Sequence, residues 1–325
     1  MKWEITKSTR DAFGETIVEL GKKNDKIVVL SGDLEDATRA EAFKKEIPGR
    51  FFNLGISEQD MVGTAAGLSS EGFIPFACSF SVFLTARACD QIRLSVCYNN
   101  NNVKLVGTHA GVTTGEDGGS AQALEDIALM RVMPNMCVIC PCDAVETKKA
   151  VEAAADSIGA VYLRLGRAPF PVITAEADQF KIGKANTLRE GKDVTLIACG
   201  IMVSEALSAA ELLSSQNIDA RVINMHTIKP IDEQAIIAAA RETGAVVTAE
   251  EHQINGGLGG AVSEVLARNF PVPVEMIGVH DKFGESGTAE QLLVKFHLKD
   301  LDIASAAKRA VARKRQVLTG AGANV

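Results

Sequence analysis

Short β-branched apolar runs alternate with longer amphipathic stretches along most of this chain. KIVVLS (26–31), FFNLGI (51–56), FIPFAC (73–78), VKLVGT (103–108), MCVICP (136–141) and GAVYLR (159–164) read as strands. The stretches 57–70, 82–98, 121–130 and 144–155 between them have helical length and spacing. Such alternation predicts parallel pairing, because a helix must return the chain to the starting end of the sheet before the next strand. The rhythm breaks over 168–190, APFPVITAEADQFKIGKANTLRE, where two prolines and scattered polar residues mark a crossing between domains. It resumes with VTLIACG (194–200), DARVINM (219–225), GAVVTAEE (244–251) and PVEMIGV (273–279), with helices expected near 201–215, 232–242, 256–268 and 288–297. The expected class is α/β: a doubly wound parallel-sheet domain over 1–180, a linker over 181–192, and a smaller α/β domain over 193–325 whose tail GAGANV frays.

Composition narrows the function classes. With 325 residues, 46% hydrophobic and 23% charged, each half can bury a sizeable core, which excludes a disordered chain or a coiled coil. A net charge of −7 makes the chain a poor general nucleic-acid binder, while leaving room for local basic sites that hold small phosphates. No apolar run approaches the roughly 20 residues of a membrane helix, and no signal-like apolar segment follows Lys2. The expectation is a cytoplasmic chain without a membrane partner. Seven cysteines, mostly inside apolar runs, suit reduced thiols. The tightest group is Cys137, Cys140 and Cys142; a strand would turn Cys137 and Cys140 to opposite faces and no further ligand lies nearby, so no metal site is expected. The basic residues Lys308, Arg309, Arg313, Lys314 and Arg315 read as the solvated end of the last helix, where cations suit the helix dipole.

In parallel sheets ligands bind beyond the C-terminal strand ends, so the segments after each strand carry the candidate chemistry. After the first comes Gly32-Asp33, without the glycine and asparagines of a diphosphate–magnesium motif; Asp33 alone reads as a loop carboxylate. After the second, Ser57 is a suitable helix cap and places Glu58 in the first turn. Glu58 is either an exposed acid favoured by the dipole or, given its small apolar flanks, a buried carboxyl inclined to keep its proton. Phe80 and Phe83, three apart, are a core pair or a platform for a flat heterocycle. The glycine-rich loop 107–120 holds His109 and Asp117, and long polar loops at strand ends are where function concentrates. Arg164 and Arg167 suit either a phosphate or a salt bridge. His226 and His280 read as structural and His297 as surface, and Gly256–Gly260 does not fit a dinucleotide fingerprint.

Taken in order, GISEQDM, SFSVFLTARACDQIR, THAGVTTGEDG, PNMCVICPCD, LRLGRAPFP, HTIKPID, AEEHQINGGLGGAV and DKFGESG resemble the C-terminal half of a transketolase, as in transketolases split over two polypeptides, across about residues 5–320. The resemblance implies a thiamine diphosphate enzyme that moves a two-carbon ketol unit between sugar phosphates, as in pentose phosphate metabolism. It places Glu58 against N1′ of the aminopyrimidine, where it promotes the tautomer that activates the thiazolium carbon. It makes Phe80 and Phe83 the platform for the pyrimidine, Ile56 the apolar wedge that bends the cofactor, and Asp33 a carboxylate near it. His109 and Asp117 fall at substrate positions, contacting the sugar phosphate and a hydroxyl, and Arg10 and Arg167 at those that hold the acceptor phosphate. Two departures stand out: Ala121 replaces a second loop histidine, and Ala37 replaces a phosphate-contacting serine, which leaves the donor and acceptor sugars open. Without a GDG run and its asparagines, Mg²⁺ and the diphosphate fall to an N-terminal partner chain, in an α2β2 assembly. The alternatives are a 2-oxoacid dehydrogenase β chain, disfavoured by His109, GEDGG and Arg167, a truncated deoxyxylulose phosphate synthase, and a non-catalytic module that Ala121 would suit.

Overall fold

The structure, a computed structural model, describes residues 3–5 and 7–319, so the expected frayed tail lies outside the described residues. Strands β1 (Ile27–Ser31), β2 (Phe51–Asn53), β3 (Ile74–Phe80), β4 (Lys104–Thr108), β5 (Cys137–Ile139) and β6 (Val161–Arg164) pair in parallel in the order β2-β1-β3-β4-β6-β5. β1 and β4 are buried along their whole length, as strands covered by helices on both faces must be. The second sheet contains β7 (Asn186–Arg189), β8 (Val194–Ala198), β9 (Ala220–Asn224), β11 (Val246–Gln253) and β12 (Val274–Val279), in the order β12-β11-β8-β9-β7. Both sheets therefore have the expected α/β character.

The structure corrects the domain picture at two places. The segment expected to be a linker, 181–192, carries β7, which pairs antiparallel with β9 at the edge of the second sheet. Strand β10 (Thr227–Lys229), which follows β9, crosses back and pairs antiparallel with β5, closing the edge of the first sheet. The three residues TIK, with one apolar side chain, carry no strand signal of their own, because their pairing partner lies far away in sequence. One hydrophobic cluster runs from Val28 and Met61 through Val138 to Ile197, Met225 and Leu258, so the two sheets share a core.

Helical detail also departs from the periodicity. The stretch expected as one helix over 82–98 is a π-helical turn Phe83–Arg87, one α-turn Cys89–Gln91 and a second π-helical run Ile92–Tyr98. The helix expected from 121 starts only at Asp126, because the preceding residues bond back to the loop, Ala121 and Gln122 both donating to Gly118 O. Ser57 precedes the helix Glu58–Ser70, but its backbone (φ −149°, ψ 65°) does not aim the hydroxyl at the helix and no cap bond forms. The basic cluster on the helix Asp300–Thr319 is not simply solvated: Arg309 and Arg313 both pair with Glu275 on β12, and Lys314 donates to Thr243 O. His226 is interior, stacked on Phe180 at 4.2 Å, with its pKa pushed down to about 4 by burial. All seven cysteines are free, and among the described residues no group of His, Cys, Asp and Glu could hold a metal.

Candidate active site

The chain runs outward from β1 to β2 and then returns to lay β3 on the other side of β1. That reversal opens a crevice at the C-terminal ends of β1 and β3, where this architecture places ligands. The register levels those ends: Ser31 lies beside Cys78, Phe80 beside Thr108, and Gly107 beside Arg164. The helix Glu58–Ser70 starts at the same level, and its first residue points inward.

Glu58 has no solvent exposure. Its Oε1 accepts from Ser79 Oγ at 3.0 Å and its Oε2 from Arg87 Nη1 at 2.6 Å. Of the two readings open in the sequence, burial holds, and the carboxyl is not alone there, since Arg87 and Ser79 both reach it. Phe80 and Phe83 stack at 5.5 Å between centroids and 14° between planes. Phe80 also stacks on His109 at 3.7 Å, so the aromatic pair and the loop histidine form one assembly.

His109 joins this assembly to a second group. It is buried, with a left-handed backbone (φ 58°) and Nδ1 at 2.9 Å from Thr108 Oγ1. Its Nε2 is 3.4 Å from Arg10 Nη1 and 3.9 Å from Asp117 Oδ2. A guanidinium can only donate, so Nε2 is the unprotonated nitrogen and the proton sits on Nδ1. Burial first, then the charges of Arg10, Arg167 and Arg39, push the His109 pKa down to about 3. Arg10 donates to Ala37 O at 2.8 Å, and its Nε is buried without a hydrogen-bond partner. Arg167 donates to Thr114 O and Glu116, both at 2.8 Å, and its Nε lies 4.0 Å from Asp117 Oδ2.

A neutral His109 has a measurable consequence. Its folded pKa lies below the unfolded value of about 6.5, so between those limits the unfolded chain binds the extra proton. Stability should be flat for this group above pH 6.5 and fall below it, by about 2 kcal/mol at pH 5. Denaturant titrations of the chain and of His109→Gln at pH 7.5 and pH 5 should show that difference; equal pH dependence in both would contradict the assignment.

The structure thus brings Arg10, Phe80, Phe83, His109, Asp117 and Arg167 together, with Glu58 beside Phe83 through Arg87. Asp33 and Ile56 stand apart. Asp33 is exposed and accepts from Asn53 Nδ2 at 3.0 Å, and Ile56 is 77% exposed. Arg164 resolves as an interior ion pair with Asp126 at 2.8 Å. Three participants were not singled out in the sequence: Ser79 and Arg87 on Glu58, and Glu251, which accepts from Thr113 N (3.2 Å) and Oγ1 (2.8 Å) and so pins the His109 loop to β11. Arg87 lies within SFSVFLTARACDQIR, but nothing in local spacing couples it to a residue 29 positions earlier.

Residues 6–171 match the family "Transketolase, pyrimidine binding domain", and residues 183–303 match "Transketolase, C-terminal domain". The chain is 45% identical over 305 residues to the 6-deoxy-6-sulfo-D-fructose transketolase subunit of Clostridium sp. (strain MSTE9), covering 94% of this chain and 95% of that one. It is 47% identical over 303 residues to a putative transketolase C-terminal section of Methanocaldococcus jannaschii, covering 92% and 95%. A solved structure described as a split gene transketolase, inactive beta4 tetramer, superposes with a TM-score of 0.90 at 49% identity, covering 95% of this chain and all of that one. Pyrimidine-binding and C-terminal domains follow each other along it, and the chain belongs to the transketolase family.

Proposed function

We propose that this chain is the C-terminal subunit of a two-chain, thiamine diphosphate-dependent transketolase that moves a two-carbon ketol unit between sugars bearing a terminal oxyanion. The observation that carries the reading is the junction of two chemistries at the strand ends: a buried carboxyl group beside stacked aromatic rings, and a buried neutral histidine in contact with Arg10. The donor set fits the pyrimidine end of the cofactor, which needs a flat apolar face and an acid facing a ring nitrogen. When bound, the cofactor supplies the nucleophilic carbon that the side chains of a protein lack.

In this reading Glu58 holds a proton against N1′, and Phe80 and Phe83 keep water from the ring. Ile56, exposed here, and Asp33 would meet the cofactor from the side that the partner chain completes. His109 Nε2 is a lone pair facing the substrate hydroxyls, and it becomes a donor once an oxyanion offsets Arg10 and Arg167. Asp117 orients a hydroxyl. Arg10, with its unpartnered Nε, and Arg167 hold the terminal group. A sugar phosphate suits those two arginines; so does a sulfonate, the group in the name of the Clostridium relative. The N-terminal partner supplies Mg²⁺ and the diphosphate contacts, in a cytoplasmic α2β2 complex.

Reconstitution tests this. Mixed with its N-terminal partner, Mg²⁺ and thiamine diphosphate, the chain should transfer ketol units from at least one of fructose 6-phosphate, xylulose 5-phosphate and 6-deoxy-6-sulfofructose. Each chain alone should be inactive. Ketol transfer by this chain alone, or a cofactor-loaded complex inactive on all three sugars, would overturn the reading.

A further inference from the structure

Arg87 occupies an unusual position. Its Nη1 donates to the fully buried Glu58 at 2.6 Å, and its guanidinium carbon lies 4.9 Å from the centroid of the Phe83 ring. Its own side chain is 44% exposed, so this flat cation links the buried Glu58 to the surface. Its backbone is tied to the same place, because Arg87 O accepts from Gln59 Nε2 at 3.1 Å. Arg87 ends the π-helical turn that begins at Phe83, and the wide turn sets ring and guanidinium in register.

The chemistry of these two contacts is specific. A guanidinium is planar, delocalised and charged, donates N–H bonds in its plane, and offers its face to aromatic rings. A protonated aminopyrimidine has the same attributes: a flat charged ring, an N–H donor at its edge, a face for stacking. Arg87 therefore makes with Glu58 and Phe83 the pair of contacts that the cofactor reading above assigns to the pyrimidine. Both cannot be made at once, since a ring bonded to Glu58 Oε2 and stacked on Phe83 would need the space the Arg87 guanidinium fills.

We propose that Arg87 is a built-in stand-in for the aminopyrimidine: it seats on Glu58 and Phe83, and must swing out for the cofactor ring to enter. The inference rests on the thiamine diphosphate reading. Glu58 and Ser79 need not move, because the half-exposed arginine can leave toward solvent without opening the core. Arg87 is thus a positioning residue that holds Glu58 in place and sets the threshold for pyrimidine binding.

The probe is the free pyrimidine fragment, 4-amino-5-hydroxymethyl-2-methylpyrimidine, titrated calorimetrically into the full chain. Arg87→Ala should bind it about ten-fold more tightly than the unaltered chain, and Arg87→Lys, which keeps the charge but not the plane, should fall between. In the unaltered chain the fragment should shift the Arg87 Nε–H resonance toward that of a solvent-exposed arginine. Equal affinity in all three, or weaker binding in Arg87→Ala, would overturn the stand-in role while leaving the cofactor reading intact. No binding to any of them, together with an inactive reconstituted complex, would overturn both. A circular dichroism spectrum and melting curve of each variant confirm that it is folded.

Discussion

Glu58→Ala is expected to abolish ketol transfer by the reconstituted complex, with kcat falling at least about 100-fold, the lower range for loss of a positioned acid–base group. Glu58→Gln should be nearly as poor, because an amide keeps the hydrogen bond but not the exchangeable proton. The fold should suffer less. Arg87 is 44% exposed and rehydrates once its partner is gone, leaving Ser79 Oγ as the buried group that loses a bond, at about 1–3 kcal/mol. Steady-state kinetics beside a denaturant curve separate the two effects. Full activity in Glu58→Ala would remove Glu58 from the mechanism.

The second large effect is on stability. Arg164 is buried with Nε at 2.8 Å from Asp126 Oδ2 and Nη2 at 3.0 Å from Glu251 O, and Tyr162 OH donates to the same Asp126 oxygen at 2.7 Å. Burial works against the Arg164 cation, yet Asp126 foremost among its negative neighbours holds the pKa well above the ordinary value. Burial pushes Glu251 up to about 7, with Arg164 drawing it back. Arg164→Met would strand both carboxylates without a cation, and unfolding free energy should drop by about 3–5 kcal/mol. Arg164→Met with Asp126→Leu should recover part of that, since replacing a pair costs less than breaking one. The single variant should also raise KM, as Glu251 anchors the loop bearing His109 through Thr113. A loss below about 1 kcal/mol would mean the network is not holding the domains together.

Much of this site is legible from the chain itself. Strand ends followed by glycine and polar residues locate the crevice, and the order of motifs points to Glu58, Phe80, Phe83 and His109. What escapes is contact across sequence. Ser79 alternates inward on β3 like any strand residue, and only the fold sets it 3.0 Å from Glu58. The Phe80–His109 stack joins residues on neighbouring strands, β3 and the end of β4, which i, i+3 spacing cannot report. Arg164 and Arg167 flank Leu165-Gly166 and look alike in sequence, yet one is sealed inside and the other is partly exposed beside Glu116 and Asp117. Burial, the quantity that separates them, depends on β11 packing over the first domain. The π-helical turn escapes for a different reason: its extra residue per turn leaves the apolar pattern of an ordinary helix almost unchanged.

Strand β10 has a mechanical consequence. A chain stretch from one domain is laced into the sheet of the other, so the two cannot rock apart without tearing the β5–β10 ladder. The covalent linker is then not the joint, and clamshell closure over a ligand is barred. Side-chain motion at the rim, over picoseconds to nanoseconds, leaves that ladder intact, whereas rocking of whole domains over microseconds does not.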